Sequence, residues 1–286
     1  MRQLAKHVAI ILVTVLLGGL LGATLIRFAP GYGVDEQELD ARLSAGSIEA
    51  LRRASAPDEN LFLFYGHYLK RMVHGDLGTS RTLQRPIAQL LRERLPDTMK
   101  SVGLGALLGW ALGLALAIPV AMSRAWLVDA LASVMAGILL CIPVAVLALL
   151  FVLTRAPARL VIALIVFPKV FRYARNLLVR SAALPHVLTA RAKGLSHAGV
   201  FVWHVLPLAG AQLLALAGVS VSLAFGASIP VEVVCDLPGI GQLAWKAALG
   251  RDLYLLINLT MMVAVVTLAA NSASDLLGGA FGRSEA

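Results

Sequence analysis

The chain has 286 residues, of which 59% are hydrophobic and 14% charged, with a mean hydropathy of +0.81 and a formal charge of +9. This composition excludes an ordinary soluble domain. Nor does the positive charge mark a nucleic-acid binder, because Lys and Arg gather at the ends of apolar stretches, where they set membrane orientation.

A helix needs about 20 apolar residues to cross the hydrocarbon core. Uncharged windows of that order occur at Val8–Ile26, Ser101–Ser123, Ala130–Thr154, Val205–Val231 and Leu253–Ser274. A further stretch, Ala158–Arg175, is apolar at its start but contains Lys169 and Arg172. The expectation is an all-α polytopic membrane protein of about six transmembrane helices, its first window retained as an anchor. With the N-terminus inside, Arg2, Lys6, Arg124, the bases from Lys169 to Lys193 and Arg283 all fall on the cytoplasmic side. The short outside segments then hold only Arg155, Arg159, Lys246 and Arg251. Charge bias therefore places both termini in the cytoplasm.

The first window exits through "RFAPGYG" into the one large water-exposed segment, residues 27–99, expected outside the membrane. Within it "DEQELDARLSAGSIEALRRA" reads as a polar helix or helix pair, and "NLFLFYGHYLKRMV" as an amphipathic interfacial run. "HGDLGTS" (74–80) is a turn, and "PIAQLLRERLPDT" a short helix ended by Pro96. His67 and His74 could share a helix face, but a solvated pair is the simpler reading. The second window carries Gly105, Gly109, Gly113 and Ala117 at every fourth residue, and the fifth carries Gly218, Ser222 and Gly226. Each row lets another helix approach closely, and tight packing is its simplest role.

Lys169 and Arg172 have two readings. They snorkel to the cytoplasmic edge if the helix ends near Pro168; if it continues to Arg175, they share a face and line the translocation route. Six bases and no acid lie between Lys169 and Trp203. Charge alone would suit an anchor on anionic membrane lipid. The pattern adds more: Thr189-Ala190-Arg191-Ala192-Lys193 favours helix, Gly194 stops it, and an amphipathic run leads to Leu206-Pro207. Two short helices with a bend follow. "PGIGQL" (238–243) is a turn rather than a nucleotide loop. No phosphate loop, zinc-protease or nucleophile-elbow motif occurs, and the two cysteines, Cys141 and Cys235, have no metal spacing. Catalytic residues, metal and cofactor are thus not expected, and any ATP must be hydrolysed by a partner.

The segment around Gly194 resembles the cytoplasmic EAA loop of bacterial ABC-importer permeases. In that pattern a glycine is followed, after nine residues, by I-x-L-P; here Gly194 precedes His204-Val205-Leu206-Pro207 at that distance. "TARAKGLS" resembles the dipeptide/oligopeptide/nickel branch, as do "RFAPG" (27–31), "HGDLGTS", "ERLPDT" (93–98) and "PVEVVCDLPGIGQLAWKAALGRDLYLL" (230–256), in the family's order. Leu184-Pro185-His186 stands where the branch usually has an acidic "EDY", and His204 replaces an aliphatic residue. The resemblance implies a single transmembrane domain, 1–286, in the bacterial inner membrane, with residues 176–204 as its cytoplasmic coupling loop. It implies as partners a second permease subunit, two cytoplasmic ATPases and an extracytoplasmic solute-binding protein. Thr189, Ala190, Ala192 and Gly194 would contact the ATPase, and Leu206 and Pro207 would set the angle of the fifth span. The competing reading is a stand-alone secondary transporter or channel. It would need intramembrane acids or internal repeats, and none lies between Ala130 and Val231.

Overall fold

The computed structural model describes residues 2–27, 65–66, 69–72, 74–123 and 126–283. The polar helix expected around 35–54, most of the aromatic run that follows it, and His67 lie outside the described residues. The described chain is all-α; its one β pairing is an isolated antiparallel bridge between Thr79 and Pro86. In order, the helices are α1 (Arg2–Arg27), α2 (Ile87–Ser123), α3 (Trp126–Cys141), α4 (Val144–Leu153), α5 (Ala158–Ala182), α6 (Pro185–Ala192) and α7 (His197–Val200). A π-turn, Phe201–Val205, leads into α8 (Leu206–Val234), followed by α9 (Ile240–Leu249) and α10 (Leu253–Arg283).

The hydropathy windows and the helices differ in instructive ways. The second window extends backward, because α2 runs through Pro96 from Ile87 to Ser123. Pro96 therefore does not end a short helix. It removes one backbone donor, but both flanks are anchored: Ile87 and Leu90 are buried before it, and Thr98 after it. The third window is not one rod. α3 and α4 meet at a 94° bend, at Ile142-Pro143. Pro143 has no N–H and pushes Ile142 away from helical geometry, and a new helix starts with the Leu147 N–H donating to the Pro143 carbonyl at 3.1 Å. α5, by contrast, passes through Pro168 and continues to Ala182, so its end is not at the proline. Among the described residues α2, residues 197–234 and residues 253–279 are each long and apolar enough to cross a membrane, with the α3–α4 pair a fourth, broken span.

The chain divides into two compact units, residues 1–93 with 246–264, and 94–245 with 265–286. In the first, the Tyr65 hydroxyl donates to the Leu16 carbonyl at 2.8 Å. It lies so near Gly19 that a Cβ there would stand 2.5 Å from the phenol oxygen. The 74–80 turn uses left-handed Gly75 and Gly78. It ends at Ser80, whose hydroxyl donates to the Asp252 carboxylate at 2.6 Å, while Asp252 also accepts from the Leu255 N–H at the start of α10. That carboxylate both caps a helix and holds the turn.

In the second unit, α5 is central. It packs against α3, α4 and α8. Along α2 the glycine row meets it directly: Cβ atoms at Gly105, Gly109 and Gly113 would fall 2.7–2.8 Å from Ile162, the Ala163 carbonyl and Val170. Ala117 continues the row into a buried cluster with Ala132, Ala136, Phe167 and Phe171. Absence of side chains lets the two backbones close, which is how small residues stabilise helix pairs in lipid. In the other row, Gly218 abuts Asn271, whose amide donates to Ser222, but Gly226 faces open space.

Candidate functional site: an exposed two-helix elbow

Residues 185–207 form an elbow on the surface of the second unit. Leu184 is extended, and Pro185 opens α6 at a position where its missing N–H costs nothing. After Ala192 the chain turns at Lys193-Gly194, and the Gly194 N–H donates to the Arg191 carbonyl at 3.0 Å. Gly194 has φ +83°, the left-handed conformation that only glycine adopts without strain. Ser196 then caps α7, its hydroxyl accepting from the Gly199 N–H at 3.1 Å. The bend lies between two short helices, at Gly194. Residues 176–182, expected in the loop, belong instead to the last turns of α5.

Pro207 explains the next irregularity. A proline in a continuing helix clashes with the carbonyl four residues back, here Trp203, and cannot donate. The helix widens to π-type over Phe201–Val205, and the Leu206 N–H donates to the Phe201 carbonyl, five residues back. Leu206 and Pro207 are thus exposed residues at the first turn of α8, with the π-turn just before them.

The elbow has an inner and an outer face. Val187, Ala190, Val200, Val205 and Ala209 are buried against Leu177 and Leu178 of α5. Ala190 therefore serves the seating of α6 and does not point outward, unlike Thr189, Ala192 and Gly194, which are exposed. Sequence reasoning missed the outward apolar residues: Leu188 and Leu195 are each 49% exposed and Trp203 77%. Val187 and Ala190, three apart, share the inner side of α6 and leave Leu188 outside it, a readable spacing; Leu195, in the bend, carries no such periodic signal. Arg191 Nε and His204 Nδ1 are buried with no hydrogen-bond partner among the described residues.

Lys169 and Arg172 lie three residues apart on α5, both exposed. They are remote in sequence from the elbow, and no hydrogen bond joins them to it among the described residues. Arg175, one residue off that face, is ion-paired with Asp129 of α3 and also donates to Asn176.

A second polar cluster, illegible from the windows, sits at the far end of α8. Glu232, only 2% exposed, accepts from the Thr98 hydroxyl at 2.7 Å and from the Gly241 N–H at 2.6 Å. Thr98 in turn accepts from the Ile240 N–H at 2.8 Å. Glu232 lies at the N-terminus of α9, whose orphan backbone N–H groups its side chain satisfies. Gly239 and Gly241 leave the room it occupies. The "PGIGQL" stretch is accordingly a turn that starts a helix. Just outside the span, burial pushes the Cys235 thiol above its usual range.

Comparison with known proteins agrees with this architecture. Residues 109–285 match the family described as binding-protein-dependent transport system inner membrane component. A putative peptide transport system permease protein of Brucella abortus (strain 2308) is 28% identical, with 95% of each chain covered. The dipeptide transport system permease protein DppB of Lactococcus lactis subsp. cremoris is 24% identical, with 96% of each covered. A solved inward-facing structure of the MetNI methionine ABC transporter superposes with a TM-score of 0.61 at 17% identity, covering 68% of this chain and 97% of that one, and shares its fold. The chain belongs to the family of binding-protein-dependent transport system inner membrane components. It is a multi-pass permease subunit of an ABC importer, in the dipeptide/oligopeptide/nickel branch.

Proposed function

We propose that this subunit moves a peptide-like solute handed over by an extracytoplasmic binding protein, and that residues 185–207 receive the mechanical push of a cytoplasmic ATPase. The observation that carries the coupling role is the outer face of the elbow. Leu188 on α6, Leu195 in the bend and Trp203 in the π-turn stand out from an elbow whose inner face is locked to α5. Exposed apolar side chains on a seated, basic scaffold suit a protein groove with an acidic rim better than water. The contact set is Thr189, Ala192 and Gly194 with Leu188 and Leu195; Ala190 supports it from beneath. The movement passes through the π-turn to Leu206 and Pro207, the first residues of α8. Peptide as solute is supported by the names of the Brucella and Lactococcus relatives, a putative peptide and a dipeptide transport permease. The subunit works beside a second permease subunit and two ATPases, does not itself hydrolyse ATP, and keeps both termini in the cytoplasm, as the distribution of bases favours. Residues 27–99 and the α8–α10 connection then face the binding protein.

Gly194 gives a clean test. A Cβ there meets nothing within 4 Å, so Gly194→Ala adds only left-handed strain, about 1–2 kcal/mol. Gly194→Trp adds bulk to the same strain. Docking predicts that the Trp variant inserts normally yet loses ATPase co-purification and peptide uptake, while the Ala variant keeps most of both. Equal behaviour of the two variants, or normal uptake with Trp, refutes the coupling role.

A further inference from the structure

Exposed side chains in the second unit fall into two chemical kinds. On α2 they are Leu104, Leu107, Leu108 and Leu112, and on α3 Leu127, Leu131, Val134 and Ile138. Those aliphatic faces suit lipid tails. α5 differs: Val161, Ile162, Val166, Val170, Phe171 and Ala174 are buried on one side. Between Leu160 and Val179, exposed near its two ends, its open side carries Lys169, Arg172, Tyr173 and Asn176. These positions recur at i, i+3, i+4 and i+7, a single stripe of one helix face.

Depth decides against an idle stripe. Lys169 lies eleven residues after Ala158, the first of α5, or about 16 Å along the axis at 1.5 Å per residue. α5 is less apolar than the helices long and apolar enough to cross, because it carries these cations; as a span entered at Ala158 it would place Lys169 near the middle of a hydrocarbon core about 30 Å thick. The helix continues past both cations to Ala182, so they are not at its end, where snorkelling is easy. Arg175 is already neutralised by Asp129, and Asn176 accepts from Arg175. Neither Lys169 nor Arg172 has an ion pair among the described residues. Two uncompensated cations at that depth belong against water or a mobile anion.

We propose that this stripe lines the aqueous path of the solute, and that Lys169 and Arg172 attract and pass its carboxylate group. The inference rests on the permease reading above and adds the chemistry selected: a solute bearing at least one carboxylate. Cations in a low-dielectric wall concentrate anions locally. Arg172 can also hold a carboxylate through two parallel N–H donors, with Lys169 as the adjacent point charge.

The test needs no knowledge of the particular solute. In the assembled, reconstituted transporter, with Cys141→Ala and Cys235→Ala, a Tyr173→Cys variant is treated with small thiosulfonate reagents of opposite charge. Tyr173→Cys should react with the negative reagent about tenfold faster than with the positive one, at the low end of electrostatic focusing in a charged cleft. Adding Lys169→Gln and Arg172→Gln should bring that ratio to about one. A Leu131→Cys control, on the aliphatic face of α3, should react with neither. Tyr173→Cys reacting with neither reagent overturns the proposal, since the stripe then meets lipid or an acid of the second subunit. A charge preference that survives loss of both cations overturns it too. Failure of the wild-type complex to import peptides, with the labelling as expected, counts against the peptide reading alone.

Discussion

Thr98→Val removes one hydroxyl and keeps the shape of the side chain. In the native chain Thr98 is 1% exposed, and its hydroxyl donates to Glu232 at 2.7 Å and accepts from the Ile240 N–H at 2.8 Å. A hydrogen bond to a carboxylate contributes about 1.5–3 kcal/mol, and a buried donor left unpaired costs about 1–3 kcal/mol. The valine variant should thus lose about 3–5 kcal/mol, with the damage centred on the start of α9. Thr98→Ser keeps both bonds and gives up one methyl group, about 0.8 kcal/mol. Thermal unfolding of the purified, detergent-solubilised transporter, followed by intrinsic fluorescence, separates the two. Serine should melt near the wild type and valine well below it. A valine variant as stable as serine would refute the claim that this hydroxyl joins α2 to the α8–α9 turn.

Gly109→Leu should destabilise by about 1–3 kcal/mol or prevent assembly, because its Cβ would fall 2.8 Å from the Ala163 carbonyl. Gly103→Leu, six residues earlier on the same helix with open space around it, should leave melting temperature and membrane abundance unchanged. For orientation, in a cysteine-free background Ser55→Cys should react with an impermeant thiol reagent in intact cells and Ser196→Cys should not. The reverse pattern would put the elbow on the wrong side for an ATPase.

Local chemistry was legible and long-range geometry was not. The four-residue spacing of Gly105, Gly109 and Gly113 announced a close helix partner without saying which. Gly194 announced a bend, because a left-handed turn after a helix has a local composition. The Thr98–Glu232 bond spans 134 residues, and Glu232 stands one residue beyond an apolar window, so it passed for loop. Its readable trace was two glycines, Gly239 and Gly241, close after an acid. Pro96, Pro143 and Pro168 carry the same local signal yet behave differently. Only Pro143 breaks a helix, since neighbours anchor the flanks of the other two, and hydropathy windows record neither outcome.

The glycine contact between α2 and α5 also limits how the importer can change shape. Where backbone touches side chain over three successive turns, no rotamer is left to absorb a displacement, so parting the two helices would forfeit the whole contact at once. α2 and α5 must therefore travel as one piece through any transport cycle. The compliance needed for alternating access has to come from surfaces where side chain meets side chain and can repack. Substitutions that tune transport speed without harming folding should accumulate on those surfaces and spare the glycine row.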